Sequence, residues 1–172
     1  THPLRPDHRL FSRREVLAMG AALGAVHAMG AAPALAASTP VRTRRVPRTG
    51  ELLPVIGLGT AIVFDIGDDA AKRAERRTVI RTLVEGGARL IDTAPSYGTA
   101  EVVLGDLLAE TKTRDNVFLA TKVRAAGRDA SIAEMQQSLR RLRTDKVDLI
   151  QLHNVGTSAS DTAAQIALLR EW

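Results

Sequence analysis

The sequence predicts an α/β fold in which a parallel β-sheet is covered by helices. Short runs rich in β-branched residues alternate with segments of helical period, and this alternation repeats four times from residue 55 onward. Strict alternation of strand and helix is typical of parallel sheets, because each crossover helix packs back onto the sheet. A doubly wound sheet and a (β/α)8 barrel both fit the pattern, and the pattern alone does not choose between them.

Each predicted strand is an apolar run that is too short for a stable helix. The four runs are residues 55–60, 88–94, 117–123 and 147–153. Ahead of them, residues 48–51 read Arg-Thr-Gly-Glu, which is the composition of a turn between two further short strands. A short β-hairpin is therefore expected before the main sheet.

A helix is predicted after each of the four strands. The first is expected to stop at Gly86, and the second to span about residues 100–110. The third opens with Ser131 and Glu134, the spacing of a capping box in which each side chain bonds the other residue's backbone N–H. The fourth is expected to begin near Ser160.

Composition excludes several classes of function. With 45% hydrophobic and 25% charged residues among 172, the chain has the composition of a globular protein and not of a disordered or membrane one. It has no cysteine, which excludes disulfides, thiolate nucleophiles and zinc–thiolate sites. Aromatic residues are only 3% of the chain, too few for the stacking surface that nucleic-acid binding would need.

Residues 1–37 have the parts of an export signal. Arg13 and Arg14 precede a mild apolar stretch over residues 18–29, and a small-x-small sequence follows at residues 34–36. The paired arginines resemble the twin-arginine type of bacterial signal. A stable membrane anchor needs about 20 strongly apolar residues, and the mild stretch over residues 18–29 is shorter than that. We therefore expect a signal cleaved near residue 36 or 37, the twin-arginine export machinery as a partner and a periplasmic location.

The two ends of the chain indicate a fragment. The sequence begins at Thr1, and it stops at Trp172 directly after an apolar run that has no helix-ending residue behind it. We therefore expect further sequence beyond this chain, and no activity from the fragment alone.

Polar residues interrupt three of the predicted strands near their C-terminal ends. These residues are Asp92, Lys122 and His153, and Tyr97 comes five residues after Asp92 in the following loop. In parallel α/β folds the C-terminal ends of the strands open on one face, so these four side chains are expected to converge.

Each of these residues has an ordinary structural explanation when it is taken alone. A strand-end carboxylate often caps the next helix, a lysine usually reaches to water, and a histidine or tyrosine is often a packing residue. The four together are harder to explain in this way. Tyr97 is the only tyrosine, His153 is the only histidine beyond residue 27, and Lys122 is one of four lysines beside twenty arginines.

The four residue types together are suited to reducing a carbonyl group. A lysine ammonium beside a phenol stabilises the phenolate, and a carboxylate holds the ammonium in place. The result is a tyrosine that is able to donate a proton near neutral pH. His153 is then expected to hydrogen-bond the carbonyl oxygen and orient the substrate, while a hydride arrives at the carbon from a cofactor.

Four blocks of sequence, in order, are similar to the aldo-keto reductase family: residues 50–60, 90–98, 120–122 and 148–154. The resemblance covers roughly residues 46–172. It implies a (β/α)8 barrel (TIM barrel) of which only the first four βα units are present, so that residues 38–172 form its N-terminal half. It also implies reduction of aldehydes or ketones with a nicotinamide cofactor, usually NADPH, with NADH also possible. The family's catalytic tetrad matches Tyr97, Lys122, Asp92 and His153.

The same resemblance implies the residues that bind cofactor and substrate. Cofactor contacts map onto Gly59, Thr60 and Asp92. The substrate pocket is expected to be lined by His153, Asn154, Ala61 and Phe64. The glycines at 57 and 59 are not a Rossmann fingerprint, because Ala61 and Ile62 follow where a third glycine is needed.

Two other functions remain as alternatives. A metal-dependent hydrolase would use Asp92 and His153 as ligands, but a catalytic zinc needs about three protein ligands, and no second histidine follows residue 27. The other alternative is a non-catalytic nicotinamide-binding or regulatory barrel of the same family. The complete tetrad argues against this second alternative.

Overall fold

A computed structural model of the chain describes residues 41–124, 127–154 and 159–171. The predicted export signal, residues 1–37, lies outside the described residues. No helix among the described residues is long and apolar enough to cross a membrane.

Strands β1 (Thr43–Arg45) and β2 (Leu52–Pro54) pair antiparallel and form the predicted hairpin. The turn is closed by two backbone hydrogen bonds of 2.8 Å, from the Val46 N–H to the Glu51 carbonyl and from the Gly50 N–H to the Val46 carbonyl. Gly50 has a φ of 75°, a left-handed conformation that glycine adopts without steric cost. The hairpin prediction is therefore confirmed.

Four parallel strands form the main sheet, and each lies inside a predicted run. They are β3 (Gly57–Gly59), β4 (Leu90–Asp92), β5 (Phe118–Val123) and β6 (Leu149–Leu152). Their order across the sheet is β3-β4-β5-β6, the same as their order along the chain. A doubly wound sheet reverses its strand order at a switch point, whereas a barrel adds its strands in chain order. Among these four strands the order does not reverse, as in a barrel.

All four predicted helices are present among the described residues. They are α1 (Ala70–Glu85), α2 (Ala100–Thr111), α3 (Arg128–Arg141) and α4 (Ala159–Glu171). The Asp69 side chain caps α1 by accepting a 3.1 Å hydrogen bond from the Lys72 N–H. As predicted, α1 stops at the glycine pair, where Gly87 has a φ of 81°.

The prediction of a capping box at Ser131 and Glu134 is wrong. Helix α3 begins at Arg128, three residues before Ser131, and its N-cap residue Gly127 makes no side-chain capping bond. The Glu134 carboxylate instead accepts a 2.6 Å hydrogen bond from the N–H of Arg124, just after β5. The Ser131 N–H is bonded inside the helix, to the Gly127 carbonyl at 3.1 Å, so Ser131 is not the N-cap of α3.

The hydrophobic core lies between the main sheet and the helices α1 and α2. Its most deeply buried large side chains are Phe64, Ile80, Ile91, Leu104, Leu107, Leu108, Leu119 and Leu142. Phe64 is only 1% exposed, so the expectation that its side chain lines an open substrate pocket is corrected. Burying an aromatic ring of this size stabilises the fold by about 2–3 kcal/mol, which favours the core position over an exposed one.

Candidate active site

The predicted site residues lie at the C-terminal edge of the main sheet. Asp92 is the last residue of β4 and pairs with Gly59 on one side and with Ala120 on the other. Lys122 and Gln151 face each other in register on β5 and β6. Because these strands are parallel and neighbouring, their ends bring the three polar side chains together.

The Lys122 ammonium is held by two oxygen atoms. Its Nζ donates to Oδ2 of Asp92 at 2.6 Å and to the backbone carbonyl of Thr93 at 2.8 Å. The side chain of Lys122 is 12% exposed and that of Asp92 is 35% exposed. A cation with so little access to water needs such partners. The lysine is therefore fixed as a positive charge at this edge.

Asp92 is itself held from three directions. Its Oδ1 accepts a 3.0 Å hydrogen bond from Nε2 of Gln151, which leaves Oδ2 to Lys122. Its backbone carbonyl accepts hydrogen bonds from the N–H and the hydroxyl of Thr60, both 3.0 Å. The carboxylate is thus oriented by Gln151 of β6 and Lys122 of β5, while Thr60 holds the backbone of Asp92.

Tyr97 lies in the loop between β4 and α2, beside the lysine. The Lys122 Nζ is 5.1 Å from the centroid of the Tyr97 ring, within the range of a cation–π contact. The loop is tied to the loop after β3, because Asp65 accepts hydrogen bonds from the N–H and the hydroxyl of Thr99 at 2.9 and 2.8 Å. These bonds from Thr99 lower the pKa of the Asp65 carboxyl below its ordinary value.

His153 follows β6 and lies against Tyr97. The two ring centroids are 5.6 Å apart, and the rings meet edge to face at 89°. The His153 backbone N–H donates to the Val123 carbonyl at 2.8 Å. Its Nδ1 is 3.2 Å from the hydroxyl oxygen of Ser96, the residue before Tyr97.

The structure thus brings Asp92, Lys122, Tyr97 and His153 together, while their catalytic roles stay predictions. Gln151 and Ser96 touch this group and were not singled out from the sequence. Gln151 did carry a signal, because it is a polar residue inside an otherwise apolar strand. Ser96 carried none, because a serine in a loop is ordinary.

The residues predicted to bind cofactor and substrate lie around the same edge. Thr60 is fully buried, and both of its donors go to the Asp92 carbonyl, so it supports Asp92. A Cβ at Gly59 would meet no atom within 4 Å, so the space beside it is open. Ala61 and Asn154 are exposed, and Asn154 has a φ of 59°. Contacts of these residues with a ligand stay predictions.

In the part of the chain that the structure describes, no three histidine, cysteine, aspartate or glutamate side chains group as metal ligands. A broad concavity lies at the opposite end of the strands, where it is lined by the first residues of β5 and β6, Phe118 and Leu149, together with Met135 of α3. That concavity is separate from the group around Lys122.

Residues 55–171 match the sequence model of the aldo/keto reductase family. The chain is 42% identical to methylglyoxal reductase YeaE of Escherichia coli over 111 residues, covering 62% of this chain and 37% of that protein. It is 38% identical to aldo-keto reductase YhdN of Bacillus subtilis over 113 residues, covering 57% of this chain and 33% of that protein. The matched region therefore spans about a third of the length of these curated relatives.

The fold is similar to solved structures as well. A crystal structure of an aldo-keto reductase from Klebsiella pneumoniae in complex with NADPH superposes with a TM-score of 0.63 and 34% sequence identity. The superposition covers 77% of this chain and 47% of that chain.

Proposed function

This chain belongs to the aldo/keto reductase family, and on that premise we propose that the protein reduces aldehyde or ketone carbonyls with hydride from NADPH. The observation that carries the proposal is the position of Lys122. Its ammonium is hydrogen-bonded to Asp92 at 2.6 Å and lies 5.1 Å from the ring centroid of Tyr97. A fixed cation beside the only phenol of the chain is what a tyrosine proton donor needs.

We place the chain as the first four βα units of a (β/α)8 barrel. The parallel strands that follow one another in chain order support this placement, and so does the share of each relative that the chain covers.

In the proposed reaction, the Tyr97 hydroxyl gives its proton to the carbonyl oxygen as a hydride adds to the carbonyl carbon. The Lys122 ammonium stabilises the negative charge left on the phenol oxygen, and Asp92 keeps the ammonium in position. His153 hydrogen-bonds the carbonyl oxygen and orients it toward Tyr97. The carbonyl thereby gains one hydride and one proton and becomes an alcohol.

NADPH, when bound, supplies the hydride. The residues at the sheet edge fit such a group, because the space beside Gly59 is open and the partly exposed Asp92 carboxylate offers acceptors to ribose hydroxyls. NADPH is preferred over NADH in this proposal because the Klebsiella pneumoniae relative is in complex with NADPH.

The experiment is to follow NADPH oxidation by the complete gene product with a panel of aldehydes. Methylglyoxal is the first substrate to test, since the Escherichia coli relative is a methylglyoxal reductase. Saturable turnover that needs both NADPH and aldehyde supports a reductase. Tight NADPH binding without turnover of any aldehyde or ketone supports the alternative, a non-catalytic nicotinamide-binding protein of the same family.

We also propose that residues 1–37 direct export through the twin-arginine pathway to the periplasm. Arg13 and Arg14 before a mild apolar stretch support this proposal. The twin-arginine route carries folded proteins, so a nucleotide cofactor would be loaded before export.

A further inference from the structure

We propose that Ser96 is a positioning residue that fixes the tautomer of His153, so that the imidazole presents an N–H donor to the carbonyl oxygen of the substrate. The reaction in which this donor acts rests on the proposed function. The tautomer itself does not depend on it.

The geometry pairs one hydroxyl with one ring nitrogen. The Ser96 Oγ is 3.2 Å from Nδ1 of His153, although the two residues are 57 positions apart in the chain. In the described part of the chain, the Ser96 hydroxyl has no other hydrogen-bond partner. Tyr97 meets the His153 ring edge to face at 5.6 Å, which limits how far the ring turns away from Ser96.

A neutral imidazole has one N–H donor and one acceptor nitrogen, and the partner of one nitrogen decides the state of the other. The Ser96 hydroxyl carries one proton, and Nδ1 is the acceptor that the protein places within its reach, 3.2 Å away. When Nδ1 accepts, the ring proton is on Nε2, at the far side of the ring from Ser96.

The opposite tautomer does not serve the reaction. If Nδ1 carried the proton and donated to Ser96, Nε2 would present a lone pair to the carbonyl oxygen, and two acceptors repel each other. Only the Nε2–H form donates a hydrogen bond to that oxygen. Ser96 thus gives His153 a defined donor nitrogen.

The test uses nitrogen-15 NMR of the histidine side chains in the complete protein. The His153 signals are assigned by their loss in His153→Gln. We expect the Nε2–H tautomer in the wild type and in Ser96→Thr, which keeps the hydroxyl, and a mixture with Nδ1–H in Ser96→Ala. Because Ser96 is exposed, the alanine variant is expected to fold.

Kinetics provide the second measurement. Ser96→Ala is expected to lower kcat/KM for an aldehyde by about three- to tenfold, the usual effect of one hydrogen bond, without a change in NADPH affinity. Ser96→Thr is expected to restore most of the loss. Ser138→Ala is the matched control, because it removes a buried serine hydroxyl of α3 that has no hydrogen-bond partner among the described residues. It is expected to change neither the spectrum nor the rate.

An unchanged His153 tautomer in Ser96→Ala overturns the proposal. A changed tautomer with kcat/KM equal to that of Ser138→Ala overturns the role of Ser96 in the reaction. If the complete protein reduces no carbonyl compound, the proposed function fails, and the spectra still decide whether Ser96 sets the tautomer.

Discussion

The Lys122 side chain lies in contact with three neighbouring groups of the site. Its ammonium binds the Asp92 carboxylate and the Thr93 carbonyl, and it faces the Tyr97 ring. A cation held in one geometry stabilises charge that develops next to it without reorganising during the reaction. The chemistry of the site therefore depends on whether Tyr97 is the group that changes charge.

Tyr97→Phe tests this point in the complete protein. We expect turnover of an aldehyde to fall by a factor of about 10² to 10⁴, the usual contribution of general acid catalysis. NADPH affinity, measured by fluorescence titration, is expected to persist because the phenylalanine ring still packs beside Lys122. Near-normal turnover with unchanged affinity would show that Tyr97 is a packing residue and that the tetrad assignment fails.

Individual residues also show how far the sequence alone leads. Asp92, Lys122 and His153 were found because the strand ends of a parallel sheet share one edge, which is a property of the backbone. Gln151 and Ser96 were missed because their importance lies in one side-chain hydrogen bond each, to Asp92 and to His153. Such bonds depend on side-chain directions that spacing along the chain does not determine.

Two loops that follow neighbouring strands are joined by Asp65 and Thr99. The Asp65 carboxylate accepts two bonds from Thr99, and the Thr99 hydroxyl in turn accepts a 3.0 Å bond from the Gly67 N–H. This connection holds the loop after β3 against the loop that carries Tyr97.

Asp65→Asn is expected to weaken the fold in a pH-dependent way. The pKa of Asp65 is lowered in the folded state by the bonds from Thr99, so the ionised carboxylate stabilises the fold above its ordinary pKa of about 4. That contribution is lost as the pH falls through the lowered folded-state pKa.

The measurement is chemical denaturation of the complete protein and of Asp65→Asn between pH 6 and pH 2.5. The difference in midpoint between the two is expected to shrink toward the acid end. Asp68→Asn removes the same charge from a fully exposed side chain, whose 3.5 Å ion pair with Arg73 is expected to contribute little, and so controls for net charge. A midpoint difference that stays constant with pH would contradict the prediction.

Helices α2 and α3 approach each other closely at Gly105. A Cβ at this position would lie 2.7 Å from the carbonyl carbon of Leu142 and would also collide with the Arg141 carbonyl oxygen. Backbone atoms cannot rotate away as a flexible side chain does, so the two helices would have to move apart.

Gly105→Ala is therefore expected to destabilise the protein by about 1–3 kcal/mol, the usual cost of overpacking a core, in spite of the better helix propensity of alanine. The free energy of unfolding from urea denaturation measures this effect. Val102→Ala, at an exposed position of the same helix, is the control and is expected to cost less. A stabilised Gly105→Ala protein would refute the close contact.

For strands and helices, the sequence alone predicts an element correctly where the pattern lies within that element's own residues. Alternating runs predict all four strands and helices, and the glycine pair predicts where α1 ends. The start of α3 was placed three residues too late because Ser131 and Glu134 match a capping pattern, whereas Glu134 bonds the Arg124 N–H of a neighbouring element. A tertiary hydrogen bond took precedence over the local motif.

At the scale of the whole molecule, we predict export of the protein. The predicted signal is residues 1–37, which lie outside the residues that the structure describes. Replacing Arg13 and Arg14 by lysine is expected to keep a reporter fused to the mature part in the cytoplasm, because the twin-arginine machinery requires the arginine pair. Cell fractionation followed by immunoblotting measures this. Changing Arg5 and Arg9 to lysine in the same way is the control. Normal export of the double-lysine variant at positions 13 and 14 would exclude this pathway.

The strand order of the main sheet has a consequence for how the protein is made. Successive strands begin about 30 residues apart, and a ribosome adds about 5–20 residues per second. A new βα unit therefore emerges every few seconds, far more slowly than a helix or hairpin forms. Because each strand after β3 pairs with its predecessor, every later unit finds its partner already synthesised. The nascent chain can thus assemble this sheet in step with translation.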